Sequence, residues 1–236
     1  MNRLAPTLAT SPESANADYA CAALSPEGAV VALGRPGGAA PFIYLASQSP
    51  RRRQLLEQLG VPHQLLLPGP EEDSEALELM LPHEAPLAYV RRVTQLKLDA
   101  ALKRMKQRAL PIAPVLCSDT TVAWERTIYG KPADRADALR MLRELSGKTH
   151  RVLTALALGT PRRRLQALSE SRVTFDRLTD RQIQRYIASG EPFGKAGAYA
   201  VQGLAAAFIS HISGSYSGIM GLPMFETAQL LRAFRI

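Results

Sequence analysis

From residue 42 onward, apolar positions follow two rhythms in turn: short unbroken runs, and stretches where they recur every three or four residues. The run FIYLAS (42–47) predicts a strand. In SPRRRQLLEQLG (49–60), Leu55, Leu56 and Leu59 fall at helical spacing, Ser49 is placed to cap the first turn, Pro50 suits its first position and Gly60 its end. LAYVRRVTQLKLDAALKRM (87–105) predicts a long amphipathic helix with Leu87, Val90, Val93, Leu96, Ala100 and Met105 as its apolar stripe. VLCSDTTVAW (115–124) predicts a strand broken by an acid, and ADRADALRMLRELSG (133–147) a helix ending at Gly147. RVLTALALGT (151–160) and RVTFDRL (172–178) predict strands, and LTDRQIQRYIASGEP (178–192) a helix with Asp180 near its start. AAFISHIS, a Gly-Ser turn and a closing helix in LPMFETAQLLRAF (222–234) complete the pattern. Strands alternating with helices predict an α/β fold. Residues 1–41, rich in Ala, Pro, Gly and Ser and without either rhythm, read as a flexible extension ahead of a domain at 42–236.

Composition narrows the function classes. The 236 residues are 46% hydrophobic, enough to bury a core in one large domain or two small lobes. A formal net charge of +8 points to polyanionic partners without choosing among nucleotides, nucleic acids and membranes. Cys21 and Cys117 lie far apart, and Cys117 sits in an apolar run, which fits a reduced, buried thiol and a cytoplasmic protein. No signal peptide opens the chain and no apolar run reaches about 18 residues, so no membrane span is expected.

Candidate chemistry gathers at a few positions. Arg51, Arg52 and Arg53 follow the Ser49–Pro50 cap, where the helix dipole already disfavours cations by about 0.3–1 kcal/mol each, so a bound phosphate would relieve the charge. A plain solvated basic face is the competing reading. Asp119 interrupts an otherwise buried strand, where a carboxylate must be paired, metal-bound or in a cleft. It is the best catalytic candidate, against a structural Asp bonded to Thr120 or Thr121. The Glu71–Glu72 doublet reads alone as a polar loop, but with Asp119 it could hold a hard cation. Lys131 is fixed between Gly130 and Pro132, and Lys97 lies on the long helix, where most lysines only extend to water. SGKT at 146–149 is not a P-loop, since Leu142 stands where glycine is required, and four scattered histidines disfavour zinc.

Taken in order, LASQSPRRRQLLEQLG, the Glu71–Glu72 doublet, YVRRVTQLK, SDTTV, GKP, MLRELSGKTHRVLTALAL, KAGAYAVQG and GLPMFETAQLL resemble the Maf nucleotide pyrophosphatases over residues 42–236. The resemblance implies a mixed sheet with flanking helices, two lobes around a central cleft similar to that of inosine triphosphate pyrophosphatases, and a homodimer. It also implies hydrolysis of nucleoside triphosphates to the monophosphate and pyrophosphate with a divalent metal, Mg2+ or Mn2+. By position, Ser47 and Arg52 match phosphate-binding residues, Lys97 and Lys131 the cleft lysines, Glu72 and Asp119 the metal-holding and catalytic acids, and Gln202 a glutamine near the substrate. Ser49, Arg51 and Thr120 join them as expected substrate contacts. Lys195 to Tyr199 followed by Gln202–Gly203 resembles the branch that prefers dTTP and UTP; Gln48, Ser118 and Thr121 depart from the family pattern. Two rivals stay open at this level: a basic nucleic-acid-binding regulator, disfavoured by only 6% aromatic residues, and a relative that binds nucleotide without turnover.

Overall fold

The computed structural model describes residues 42–73 and 75–236; the expected extension at 1–41, with Cys21, lies outside them. Strand β1 (Ile43–Leu45) leads into helix α1 (Pro50–Gln58), then β2 (His63–Leu65) and the long helix α2 (Pro86–Gln107). Strands β3 (Val115–Trp124) and β4 (Thr127–Tyr129) precede helix α3 (Arg135–Leu145). The hairpin β5 (Thr149–Gly159) and β6 (Arg164–Phe175) is followed by α4 (Asp180–Ala188), β7 (Ile209–Ser213), a short α5 (Tyr216–Met220) and α6 (Met224–Ala233). All seven strands form one mixed sheet, ordered β2-β1-β3-β5-β6-β7, with β4 on the far half of β3. β1 runs parallel to β2 and β3; the other pairs are antiparallel.

The side-chain period of two along β3 and β5 explains the layering. Near one end of β3, Val115 and Cys117 face α2, where they pack with Leu98, Ala101 and Met105, while Leu116 faces α1 and α6 with Leu56 and Leu231. Ala157 and Leu156 of β5 divide between the same two layers. At the other end Val122 and Val152 enter a separate core with Met141, Leu142, Phe175, Ile183 and Tyr199. Between these cores β3 carries Ser118, Asp119, Thr120 and Thr121, so the long strand threads both lobes and turns polar where they part. Cys117 is buried and free, and burial pushes its thiol up to about 12, which leaves it inert at neutral pH.

Several sequence expectations shift. Of the stripe expected on α2, Val90, Val93 and Met105 are buried but Leu87, Leu96 and Ala100 are not; Tyr89, Thr94, Leu98, Ala101 and Leu102 complete the buried face instead. β6 extends well before the expected strand, and the supposed Gly-Ser turn continues into α5. β2 and β4 are three residues each, too short to leave a rhythm.

Candidate active site

A cavity of about 670 Å³ opens where the two lobes part. Ser49 caps α1 by accepting from the Arg52 backbone N–H at 3.5 Å, and the Ser49 N–H donates to Ser47 Oγ at 3.2 Å. Arg52 thereby turns into the cavity. Its Nε donates to the Gly221 carbonyl at 2.9 Å, one terminal nitrogen to Ser47 Oγ at 3.4 Å and the other to Thr120 Oγ1 at 3.3 Å. A guanidinium has five N–H groups, so one on each terminal nitrogen is left for a ligand in fork geometry. Gly221 ends α5 with φ +114°, and a Cβ there would come within 3.2 Å of Arg52 Nε. Ser118 donates to the same Gly221 carbonyl at 2.8 Å. Burial pulls the Arg52 pKa down, opposed by the charge of Asp119, with the Arg51 charge lowering it further.

The opposite wall is acidic and basic in alternation. Lys97 reaches from α2 to Asp119 Oδ1 at 2.6 Å and to Glu78 Oε1 at 2.8 Å; Lys131 reaches Glu78 Oε2 at 3.2 Å. Asp119 is 7% exposed, yet no hydrogen bond reaches its Oδ2 among the described residues. Glu78 ends a single 3-10 turn, Ala76–Glu78. Its segment is tied to α2 by the Tyr89 hydroxyl on the Glu78 carbonyl at 2.8 Å and by Arg92, which grips Glu84 and the Leu79 carbonyl. Burial raises the Glu78 pKa, but the charges and hydrogen bonds of Lys97 and Lys131 more than offset it, holding the group below the usual carboxylate range.

Of the residues expected from sequence, Ser47, Ser49, Arg51, Arg52, Lys97, Asp119, Thr120, Lys131 and Gln202 all line this cavity. Glu72, expected beside Asp119, is not among them and holds a different partner. Both its oxygens are taken by Arg104, at 2.7 and 2.6 Å, and Oε1 also accepts from the Gly69 N–H at 3.1 Å. The Arg104 bond, with the Gly69 bond helping, drives the Glu72 pKa down to about 2. Glu78 is the glutamate that reaches the cavity, and sequence reasoning missed it. Nothing in the rhythm of EALELMLP sets it apart, because the residues that fix it, Tyr89 and Arg92, lie a helix away.

The donor set bears on a metal. Among the described residues no group of three or more His, Cys, Asp or Glu side chains converges. Two carboxylates, Asp119 and Glu78, do converge on one ammonium, Lys97. That suits a cation that takes one or two protein carboxylates and completes its shell with phosphate oxygens and water.

A cleft that sets a half-buried arginine and two lysines around paired carboxylates has the charge pattern of a phosphate-handling α/β protein. The chain belongs to the Maf-like protein family, whose model matches residues 42–234. It is 76% identical over 193 residues to the dTTP/UTP pyrophosphatase of Albidiferax ferrireducens, covering 82% of this chain and 96% of that protein. A Polaromonas dTTP/UTP pyrophosphatase is 69% identical over 195 residues (83% and 96%), and that of Cupriavidus pinatubonensis 60% identical over 195 residues (83% and 98%). The solved Staphylococcus aureus Ham1 protein is similar at a TM-score of 0.38 and 15% identity, over 58% of this chain and 72% of that one, too faint a likeness to argue from.

Proposed function

We propose that this chain hydrolyses nucleoside triphosphates, dTTP and UTP foremost, to the monophosphate and pyrophosphate. The observation that supports this most is the meeting of Arg52, Lys97, Lys131, Asp119 and Glu78 in one cavity, within a chain 76% identical to a protein of that name. Ser47 accepts two bonds and keeps its own proton to donate, so with the remaining N–H groups of Arg52 and the amides at the α1 terminus it grips phosphate oxygens. Lys97 and Lys131 leave Glu78 for the more highly charged triphosphate, which frees the Glu78 carboxylate. Asp119 Oδ2 then accepts a proton from the attacking water as the new O–P bond forms at the α-phosphorus. The bond from the α-phosphorus to the bridging oxygen breaks, and pyrophosphate leaves with that oxygen. Mg2+ or Mn2+, held by Asp119, Glu78 and phosphate oxygens, would supply Lewis-acid polarisation of the α-phosphoryl group. Preorganised positive charge around a small anion accounts for most catalysis of this kind.

Gln202, at the cavity rim, contacts the base or sugar, and the enzyme acts as a homodimer, which sedimentation at micromolar concentration would test. No helix among the described residues is long and apolar enough to cross a membrane. The deciding experiment is a panel of dTTP, UTP, CTP and methylated GTP with Mg2+ or Mn2+, scoring both products. Monophosphate and pyrophosphate in equal amounts, highest for dTTP and UTP, is the expected outcome. Binding without product would reduce the chain to a nucleotide-binding relative.

A further inference from the structure

Hydroxyl side chains lie in a row across three strands: Thr120 of β3 pairs with Thr154 of β5, and Thr154 with Ser169 of β6. Thr154 and Ser169 are buried, and neither lines the cavity. α5 rests on this row through Gly218, where a Cβ would come within 3.1 Å of Ser169 Oγ. Thr154 Oγ1 lies 2.7 Å from the Gly218 carbonyl oxygen and 3.1 Å from Thr120 Oγ1. A carbonyl oxygen only accepts, so the single hydroxyl proton of Thr154 is committed to the shorter contact. The bond between the threonines then uses the proton of Thr120. That leaves Thr120 Oγ1 with lone pairs alone toward the cleft, where a terminal nitrogen of Arg52 donates to it at 3.3 Å.

We propose that Thr154, though it touches no substrate, is a positioning residue for triphosphate binding. It fixes the direction of a hydrogen-bond chain running from Arg52 through Thr120 and Thr154 to the Gly218 carbonyl. Thr120 accordingly holds the guanidinium as an acceptor and has no proton to offer a phosphate oxygen. An incoming anion meets the remaining N–H groups of an arginine already aimed, and cannot draw Thr120 away from it. The inference rests on the reading of Arg52 as a phosphate grip.

The test uses the full chain carrying Thr154→Val, Thr154→Ser, Arg52→Gln, and Arg52→Gln with Thr154→Val. It reads kcat and KM for dTTP, and the Kd of inorganic triphosphate by calorimetry. Losing one neutral hydrogen bond in the support should raise KM and Kd about three- to tenfold. kcat should stay within about twofold, as for an interaction equal in ground and transition states. Thr154→Ser should restore both constants. In the Arg52→Gln background Thr154→Val should add less than about twofold, because the group it positions is gone. Unchanged triphosphate affinity in Thr154→Val, or a loss as large without Arg52 as with it, overturns the proposal. If Arg52→Gln itself binds triphosphate as tightly as wild type, the reading of Arg52 falls instead. Should Thr154→Val fail to fold, Thr154→Cys, with a weak donor and acceptor, carries the same expectations.

Discussion

Glu72 and Glu78 share a chain segment and a side chain, yet they are held in opposite ways. Glu72 is clamped by the planar fork of Arg104, two parallel bonds that fit one partner and leave the carboxylate nothing to give. Glu78 is held at its two oxygens by the ammonium groups of two lysines on different elements, each a compact charge that another anion can capture. Glu72 lies outside the lining of the cavity, to which Arg104 belongs, and the pair fastens the loop after β2 to α2; Arg104 also donates to the Leu66 carbonyl at 2.9 Å. Glu78 and both its lysines lie within that lining. A charge pair becomes chemistry where its partners can be exchanged for substrate, and scaffold where they cannot.

Asp119 belongs with the exchangeable group, since its bond to Lys97 is single and its Oδ2 has no hydrogen-bond partner among the described residues. Asp119→Asn should lower kcat by about 10²–10⁴ with the fold intact, the range for lost acid-base help, read from initial rates beside a thermal melt. Turnover near wild type would move Asp119 to the scaffold side. The clamp should show itself in stability instead. Glu72→Gln leaves Arg104, a buried guanidinium, with a poorer partner, and should destabilise the fold by about 2 kcal/mol in urea unfolding. The sign with pH follows from its depressed pKa. The stabilisation is present above the ordinary 4.5 and lost as pH falls toward about 2, so the gap between wild type and Glu72→Gln should close over that range.

A third kind of titratable group has its pKa shifted by burial alone. His150 is 1% exposed, bonded through Nε2 to the Tyr199 hydroxyl at 2.9 Å, with Nδ1 lacking a partner, and desolvation lowers its pKa from 6.5 to about 4. The unfolded chain therefore takes up the proton first as pH falls. Stability should drop between about pH 6.5 and 4, by roughly 2 kcal/mol at pH 5, and His150→Phe should flatten that slope. The smallest effect is expected at Lys131, whose side chain is 47% exposed. Lys131→Gln should raise KM for dTTP only severalfold at moderate salt, and less at high salt, as for a screened charge.

Much of this was legible in the chain. Ser49, Pro50 and the leucines of α1 are local signals, and local signals survive without a fold. Asp119 stood out because an acid inside an apolar strand demands a cleft. Glu78 did not, because a glutamate beside Leu79, Met80 and Leu81 in a loop carries no periodicity, while the adjacent Glu71–Glu72 pair drew the metal role by position in a motif. The helical face of α2 was legible only in part, at Val90, Val93 and Met105, for a related reason. It packs on a sheet on one side and presents Lys97 to the cavity on another, so no single stripe describes it.

The central claim is that exchangeable partners, rather than acidity or motif position, mark the working glutamate. Glu78→Gln and Glu72→Gln, assayed side by side for release of pyrophosphate from dTTP, test it most directly. The account predicts a fall of about 10²–10⁴ in kcat/KM for Glu78→Gln and a change within about threefold for folded Glu72→Gln. The reverse order, or equal losses, would contradict it.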